Sequence, residues 1–348
     1  MEQFTKIYNA AVGKIHKFFD KQLIDRCVAL VDPADQSILK PLIETQHRVI
    51  VEARNKRKFI DPDVERQLCI ATEILRKYVA IRALVGIQPM QGPVGLVYSM
   101  AFSTANGEMC LEIEPHAIEA SSRRLQSQYS IEAAQDMKMV HDIDVVAEFS
   151  AILSTEIAHE LIAEILSDIV SLAPIEQVDI PYRQDTFANQ LWAHIMVQRN
   201  KIARLTRRGA GNVFVMSPML FESLVPSCER CSMKVVPADT YDRLSPFCRA
   251  GTLIMNANNT EYAIYTSSAT QLFGTDGRYR VIVGYKGASE VDAGYIASPY
   301  VPIIANHTID PASFQPAMRF INRGGKWISK NACEQTDYYR ILDVGVTY

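Results

Sequence analysis

Apolar residues recur along this chain in two rhythms, one helical and one of period two, and each predicts a different element. The longest helical stretch runs from Ser130 to Leu172. Ser130 is a good N-cap with Glu132 and Asp136 behind it, so a first helix is predicted to close near His141–Asp142. A second begins near Asp144 and continues until Pro174, which cannot extend a helix. At 1.5 Å per residue this second helix is roughly 40 Å long. Ile157, Leu161, Ile165 and Ile169 form one row at spacing four, below Phe149 and Leu153; Glu156, Glu160, Glu164 and Asp168 form the row beside it. Such rows creep about 40° round the axis per step, so the two ends of the helix are predicted to face different neighbours. The element reads as a spine on which other layers are laid.

The period-two rhythm is clearest just before it. Gly86-Ile-Gln-Pro-Met-Gln-Gly-Pro93 ends the preceding helical pattern. Val94, Leu96, Tyr98, Met100 and Phe102 then alternate with the small residues Gly95, Ser99 and Ala101. Asn106-Gly107 supplies a type I′ turn, and Met109, Leu111 and Ile113 alternate with Glu108, Glu112 and Glu114. Pairing about that turn sets Phe102 opposite Leu111 and Met100 opposite Ile113, which puts the large apolar groups on one face. A lone two-stranded hairpin is marginal in water. Its apolar face is expected to lie on its own domain or on a neighbouring subunit.

Elsewhere the pattern is coarser. The first ninety residues read as helical, with Phe4, Ile7, Ala11, Ile15 and Phe18, and again Leu68, Ile70, Ile74, Tyr78 and Ile81, at helical spacing. Phe187–Leu205 is a third predicted helix, and Gly209-Ala-Gly211 after it reads as a helix stop and tight turn. Strands are predicted at Val213–Met216, Thr252–Asn256, Tyr262–Thr266, Tyr279–Tyr285, Tyr295–Ser298 and Met318–Asn322, with turns at Asn258-Asn259 and Asp276-Gly277. Helices first and strands later give an α+β protein.

Composition narrows the class. The 348 residues are 22% charged and 48% hydrophobic, typical of globular chains and enough for two or more lobes. No apolar run reaches the length of a membrane span, and no membrane partner is expected. Seven scattered cysteines fit reduced thiols. The total charge is −3, but residues 1–90 hold 15 Lys and Arg against 11 Asp and Glu, so that part is about +4 and the remainder about −7. The cluster Arg54, Lys56, Arg57 and Lys58 lies there, either a solvated helix end or a phosphate contact.

Candidate chemistry is sparse. Cys228-Glu-Arg-Cys231 has zinc-knuckle spacing, but only Cys248 follows nearby, so thiols without metal are the plainer reading. Glu44-Thr-Gln-His47 and Glu156-Ile-Ala-His159 share the Glu-x-x-His spacing of di-iron helix bundles, which makes a di-iron carboxylate enzyme one alternative. The strand-rich second half has no place in such a bundle. No catalytic residue, cofactor or metal is expected.

Several segments together resemble a known family. Val85-Gly-Ile-Gln-Pro-Met-Gln-Gly-Pro-Val-Gly-Leu-Val-Tyr98 resembles the opening of the extended loop in major capsid proteins of T-even-type tailed bacteriophages. Glu119-Ala-Ser-Ser-Arg-Arg-Leu-Gln-Ser-Gln-Tyr129, and on to Glu160, is similar to their spine region, and Thr206-Arg-Arg-Gly-Ala-Gly-Asn212 to their helix-to-strand junction. Arg278–Gly287, Asp292-Ala-Gly-Tyr295, Pro299-Tyr-Val-Pro302 and Asp310–Pro316 resemble their C-terminal third. The matches keep their order over residues 85–345.

The resemblance implies a Hong Kong 97-type capsid fold. It implies a helical N-terminal arm over 1–91, an extended β-hairpin loop over 92–122, and a peripheral domain with the spine helix over 123–208. A mainly axial domain over 209–285 and return strands of both over 286–348 complete it. The implied function is self-assembly, through hexamers and pentamers, into an icosahedral or prolate shell round double-stranded DNA. Implied partners are further copies of the chain, portal and scaffold proteins, vertex or decoration proteins, and DNA without sequence specificity. The implied location is the virion, after assembly in the host cytoplasm. Tyr98, Met100, Phe102, Leu111 and Ile113 are the expected intersubunit contact, and Arg54, Lys56, Arg57 and Lys58 the expected DNA-facing cluster. No large insertion on the outer face is expected. Relatives lose a propeptide after an apolar-x-Glu sequence; Leu42-Ile-Glu44 and Ile50-Val-Glu52 fit, yet the N-terminus is expected to be kept. An encapsulin-type nanocompartment, which shares the fold and encloses enzymes, is the other alternative.

Overall fold

In the computed structural model the described residues are 24–29, 36–55, 72, 80–105, 108–141, 145–183, 186–229, 233–239, 241–243, 245–255, 260–274, 277–309, 315–331 and 333–347. They begin with helical residues at 24–29 and helix α1 (Gln36–Asn55). Strand β1 (Gly86–Ile87), hairpin strands β2 (Val94–Ala105) and β3 (Glu108–Glu119), and strand β4 (Ser121–Gln128) follow. Next come helices α2 (Ile131–His141) and α3 (Val145–Leu172), strand β5 (Ile175–Pro181) and helix α4 (Phe187–Thr206). Strand β6 (Val213–Met216) and helix α5 (Pro218–Glu229) precede β7 (Met233–Pro237), β8 (Cys248–Met255), β9 (Thr260–Thr266) and β10 (Tyr279–Gly284). The chain ends with β11 (Tyr295–Ile309), β12 (Pro316–Ile328) and β13 (Tyr339–Thr347).

The strands form a four-stranded sheet, β1-β11-β12-β4, a seven-stranded sheet, β5-β13-β10-β6-β9-β8-β7, and the separate hairpin β2-β3. The fold is thus mixed helix and sheet. The large sheet is itself mixed: β5 runs parallel to β13 and β6 parallel to β9, while the other pairs are antiparallel.

Helix α3 is the predicted spine, and its drifting stripe is visible in what it touches. Leu153 and Ile157 pack on Met318 and Phe320 of the four-stranded sheet. Further along the helix, over the next one to three turns, Ile162, Ile165, Leu166 and Ile169 enter a core shared with Val213, Val215, Ile282, Tyr339 and Ile341 of the seven-stranded sheet. Leu161 borders both clusters. Part of the acidic row finds partners: Glu164 pairs with Arg123 and with Lys326 at 2.6 Å, and Asp168 accepts from Lys326 at 2.6 Å and the Tyr295 hydroxyl at 3.1 Å. The spine is therefore fastened to the four-stranded sheet by charge as well as by packing.

Helix α1 is not only laid on the outside. Leu39, Leu42 and Ile43 are fully buried in the core that the lower spine and both sheets share. The stretch Leu42-Ile-Glu44 is thus helical and half interior. The helical pattern predicted at 4–18, most of that predicted at 68–81, and the turn at 258–259 lie outside the described residues; of the second pattern, Thr72 is helical and Ile81 is buried in a short 3-10 turn, Ala80–Ala83. On the other face of the seven-stranded sheet, α4 and α5 bury Phe187, Leu191, Trp192, Ile195, Leu220, Phe221 and Leu224 against Phe214, Val281, Val283, Leu342 and Val344. The expected domain boundary at 208–209 falls between α4 and the sheet with which it shares this core.

The junction after α4 differs in detail from the glycine-capped stop. The left-handed residue is Arg207, with φ 52°, not a glycine. Gly209 serves another need: a Cβ there would stand 2.5 Å from the Tyr285 ring. Close approach, rather than backbone handedness, requires that glycine.

Candidate assembly interface

The hairpin pairs in the predicted register: Met100 opposite Ile113, Phe102 opposite Leu111, and so on from Val94↔Glu119 to Ala105↔Glu108. Twelve residues per strand at about 3.3 Å each make a blade roughly 40 Å long. Its two faces have opposite fates. One face, at the root, buries Val97 and Ile118 with Met90 and Ile296, stacks His116 on Trp327 at 4.2 Å, and joins Ser99 to His116 at 2.8 Å. The other face turns Val94, Leu96, Tyr98 and Ile113 to solvent, at 62%, 58%, 44% and 60% exposure. Side chains this apolar, aligned on one blade, form an unsatisfied patch.

Of the expected contact residues, Tyr98 and Ile113 lie exposed on that face, and Met100 is half-buried at the root. Phe102 and Leu111 share their register, and their side chains lie outside the described residues. Val94 and Leu96 extend the patch. Of the basic cluster, Arg54 lies in the last turn of helix α1 with its side chain outside the described residues, where Lys56, Arg57 and Lys58 also lie.

The residues that hold the root were not singled out from the sequence. The Gln88 side-chain amide acts as a substitute strand: its Nε2 donates to the Tyr98 carbonyl at 2.8 Å, and its Oε1 accepts from the Tyr98 N–H at 2.9 Å. The Met100 N–H donates to the Val291 carbonyl at 3.1 Å, and the Arg208 guanidinium donates to the Met100 carbonyl at 2.5 Å. Arg208 also pairs with Asp292, which accepts from the Tyr285 hydroxyl at 3.2 Å. Beneath this, Glu290 accepts from Arg82 Nε at 2.7 Å, from the Ile87 N–H at 2.9 Å and from Lys286 Nζ at 3.1 Å. Burial alone would raise the Glu290 carboxyl; the Ile87 N–H, Arg82 and Lys286 outweigh it and hold it below the usual range. Burial pulls the Lys286 ammonium down, against the pull of Glu290. Gln88, Arg208, Tyr285, Lys286 and Asp292 lie within the segments Val85–Tyr98, Thr206–Asn212, Arg278–Gly287 and Asp292–Tyr295 that carried the resemblance, while Arg82 and Glu290 lie in none of them and gave no sequence signal.

Among the described residues the other candidate sites are not brought together. Among the described residues no group of three or more His, Cys, Asp and Glu comes together to hold a metal. Glu44 and Glu156, the carboxylates of the di-iron alternative, are exposed on α1 and α3. Cys228 is buried, Cys248 donates to the Asp242 carbonyl at 3.3 Å, and Cys231 lies outside the described residues.

Comparison with known proteins places the chain. A family model for the major capsid protein Gp23 matches residues 101–344. The major capsid protein of Vibrio phage KVP40 is 31% identical over 244 residues, covering 63% of this chain and 45% of that protein. That of Enterobacteria phage T4 is 30% identical over 250 residues, covering 63% of this chain and 44% of that protein. The chain thus spans about half the length of the curated relatives it matches. A solved structure from Mycobacterium phage Che8 aligns with a TM-score of 0.47 and 10% identity, over 72% of this chain and 85% of that one. With 244 of its 348 residues inside the family model, the chain belongs to the Gp23 major capsid protein family.

Proposed function

We propose that this chain is the major head protein of a tailed bacteriophage, a virion component with a Hong Kong 97-type fold. Copies join through hexamers and pentamers into an icosahedral or prolate shell round double-stranded DNA. In this reading the spine and four-stranded sheet form the peripheral domain, the seven-stranded sheet with α4 and α5 forms the axial domain, and β2-β3 is the extended loop. The observation that carries it is the hairpin, in a chain of this family: one face is used to anchor it, and the other is apolar and open to solvent. A blade so built is finished only by another surface. The adjacent subunit supplies that surface, and Tyr98, Met100, Phe102, Leu111 and Ile113, with Val94 and Leu96, make the contact. Each contact buries apolar area at about 25 cal/mol per Å², and repetition round a capsomer multiplies modest contacts. Scaffold, portal, and vertex or decoration proteins are the remaining partners. The chemistry is assembly, with no catalytic step.

Electron microscopy of the purified protein tests this reading. Capsomers or closed shells are expected, and a uniform population of single subunits at high concentration would overturn it.

A further inference from the structure

The root of the hairpin is held by its main chain as well as by its buried side chains, and one side chain joins three separate parts of the molecule there. Arg208 follows the left-handed cap of α4, its side chain only 3% exposed. It grips Asp292 from the 286–293 loop and the carbonyl of Met100 in β2. The loop is itself held: Gly287 N–H donates to the Asp292 carbonyl at 2.8 Å, and Asn212 brackets Lys286 with bonds to its N–H at 3.1 Å and carbonyl at 2.7 Å. Gly287 has no room for a Cβ, which would stand 2.0 Å from the Asp292 carboxylate.

We propose that Arg208, with Asp292, is the clasp that sets the direction in which the hairpin leaves the body. It is a positioning residue for the intersubunit contact, not a member of it; this rests on the reading that the hairpin carries that contact. A guanidinium is suited to the task because its planar fork donates to a carboxylate and a carbonyl at once, which an ammonium on a flexible stem does less rigidly. Leverage makes the clasp matter. From Met100 to the end of β2 the blade extends roughly 17 Å at about 3.3 Å per residue. A tilt of roughly 15° at the root would then carry the tip roughly 4 Å sideways, beyond the tolerance of side-chain packing. Round a closed ring of copies such an error repeats at every contact.

The test uses the full-length protein carrying Arg208→Lys or Asp292→Asn, both close in shape to the native side chains. Hydrogen exchange is followed in the hairpin strands and in the seven-stranded sheet, alongside thermal melting and shell yield. Arg243→Lys, in the exposed Arg243–Glu222 pair, is the control. In both test variants, exchange in residues 94–105 and 108–119 is expected to quicken by about tenfold, as loss of a charged hydrogen bond allows. Exchange in the sheet should stay near wild type and shell yield should fall; the control should do neither. Hairpin exchange unchanged in both variants, or quickened no more than in the sheet, would overturn the clasp. Quickened hairpin exchange with normal shells would leave the clasp standing and remove the hairpin from the intersubunit contact.

Discussion

Glu290 links the bed of the hairpin to pH. Its carboxylate receives the Ile87 N–H, Arg82 and Lys286, and these hold its pKa below the usual value of 4.5. A carboxyl depressed in the folded state contributes stability above its unfolded pKa and loses it as pH falls through the folded one. The bed of the hairpin should therefore begin to loosen as pH falls below the usual glutamate value, and lose this contribution through the lower folded pKa, where the acid takes up its proton. Glu290→Gln, which mimics the protonated acid, should cost about 2 kcal/mol at neutral pH, and the difference from wild type should vanish in acid. Melting curves across pH 3–7 check this; a constant difference would contradict it. At Tyr339, a fully buried side chain, the hydroxyl donates to the Leu84 carbonyl at 2.9 Å, and burial drives its pKa far up. Tyr339→Phe should cost about 1 kcal/mol, because it leaves that carbonyl unsatisfied, with little dependence on pH up to 9. Neither site is visible in the sequence, because each joins residues about 200 or more positions apart.

Among the elements, the spine makes the sharpest prediction. Ile157 packs on the four-stranded sheet and Ile169 in the core of the seven-stranded one. Twelve residues at 1.5 Å separate them by about 18 Å. Each Ile→Ala should cost about 2–5 kcal/mol, and the double variant should add them to within about 0.5 kcal/mol. Denaturant titrations measure this; a large coupling would mean that the two halves of the stripe share one core. The stripe was legible in advance because spacing-four rows drift, and the hairpin register because Asn106-Gly107 leaves little choice of pairing. Strand β4 was not: Ser121–Gln128 is polar and lies at the edge of its sheet, so it shows no apolar alternation. Strands β11 and β12 run well past the predicted 295–298 and 318–322, because their outer parts are steadied by pairing with each other rather than by pattern. Helix α5 was hidden by Pro226 within it. The site was half legible: pattern marked the blade, while the clasp came only from tertiary contact.

At the scale of the whole molecule, the expectation that Arg54, Lys56, Arg57 and Lys58 face DNA has its own test. Replacing Arg54, Lys56, Arg57 and Lys58 with Gln should leave empty shells intact and make filled particles less stable, with a weaker dependence on salt. Failure of empty shells to assemble would make the cluster a subunit contact. The more central claim is that the open face of the hairpin joins copies together, and Ile113→Glu tests it most directly. The side chain is 60% exposed in the subunit, so stability should change by no more than about 0.5 kcal/mol. Sedimentation velocity under assembly conditions is the measurement. Ile113→Glu should give a folded protein with an unchanged melting temperature that stays as small species while wild type forms shells; normal shells from Ile113→Glu would contradict this role for the hairpin.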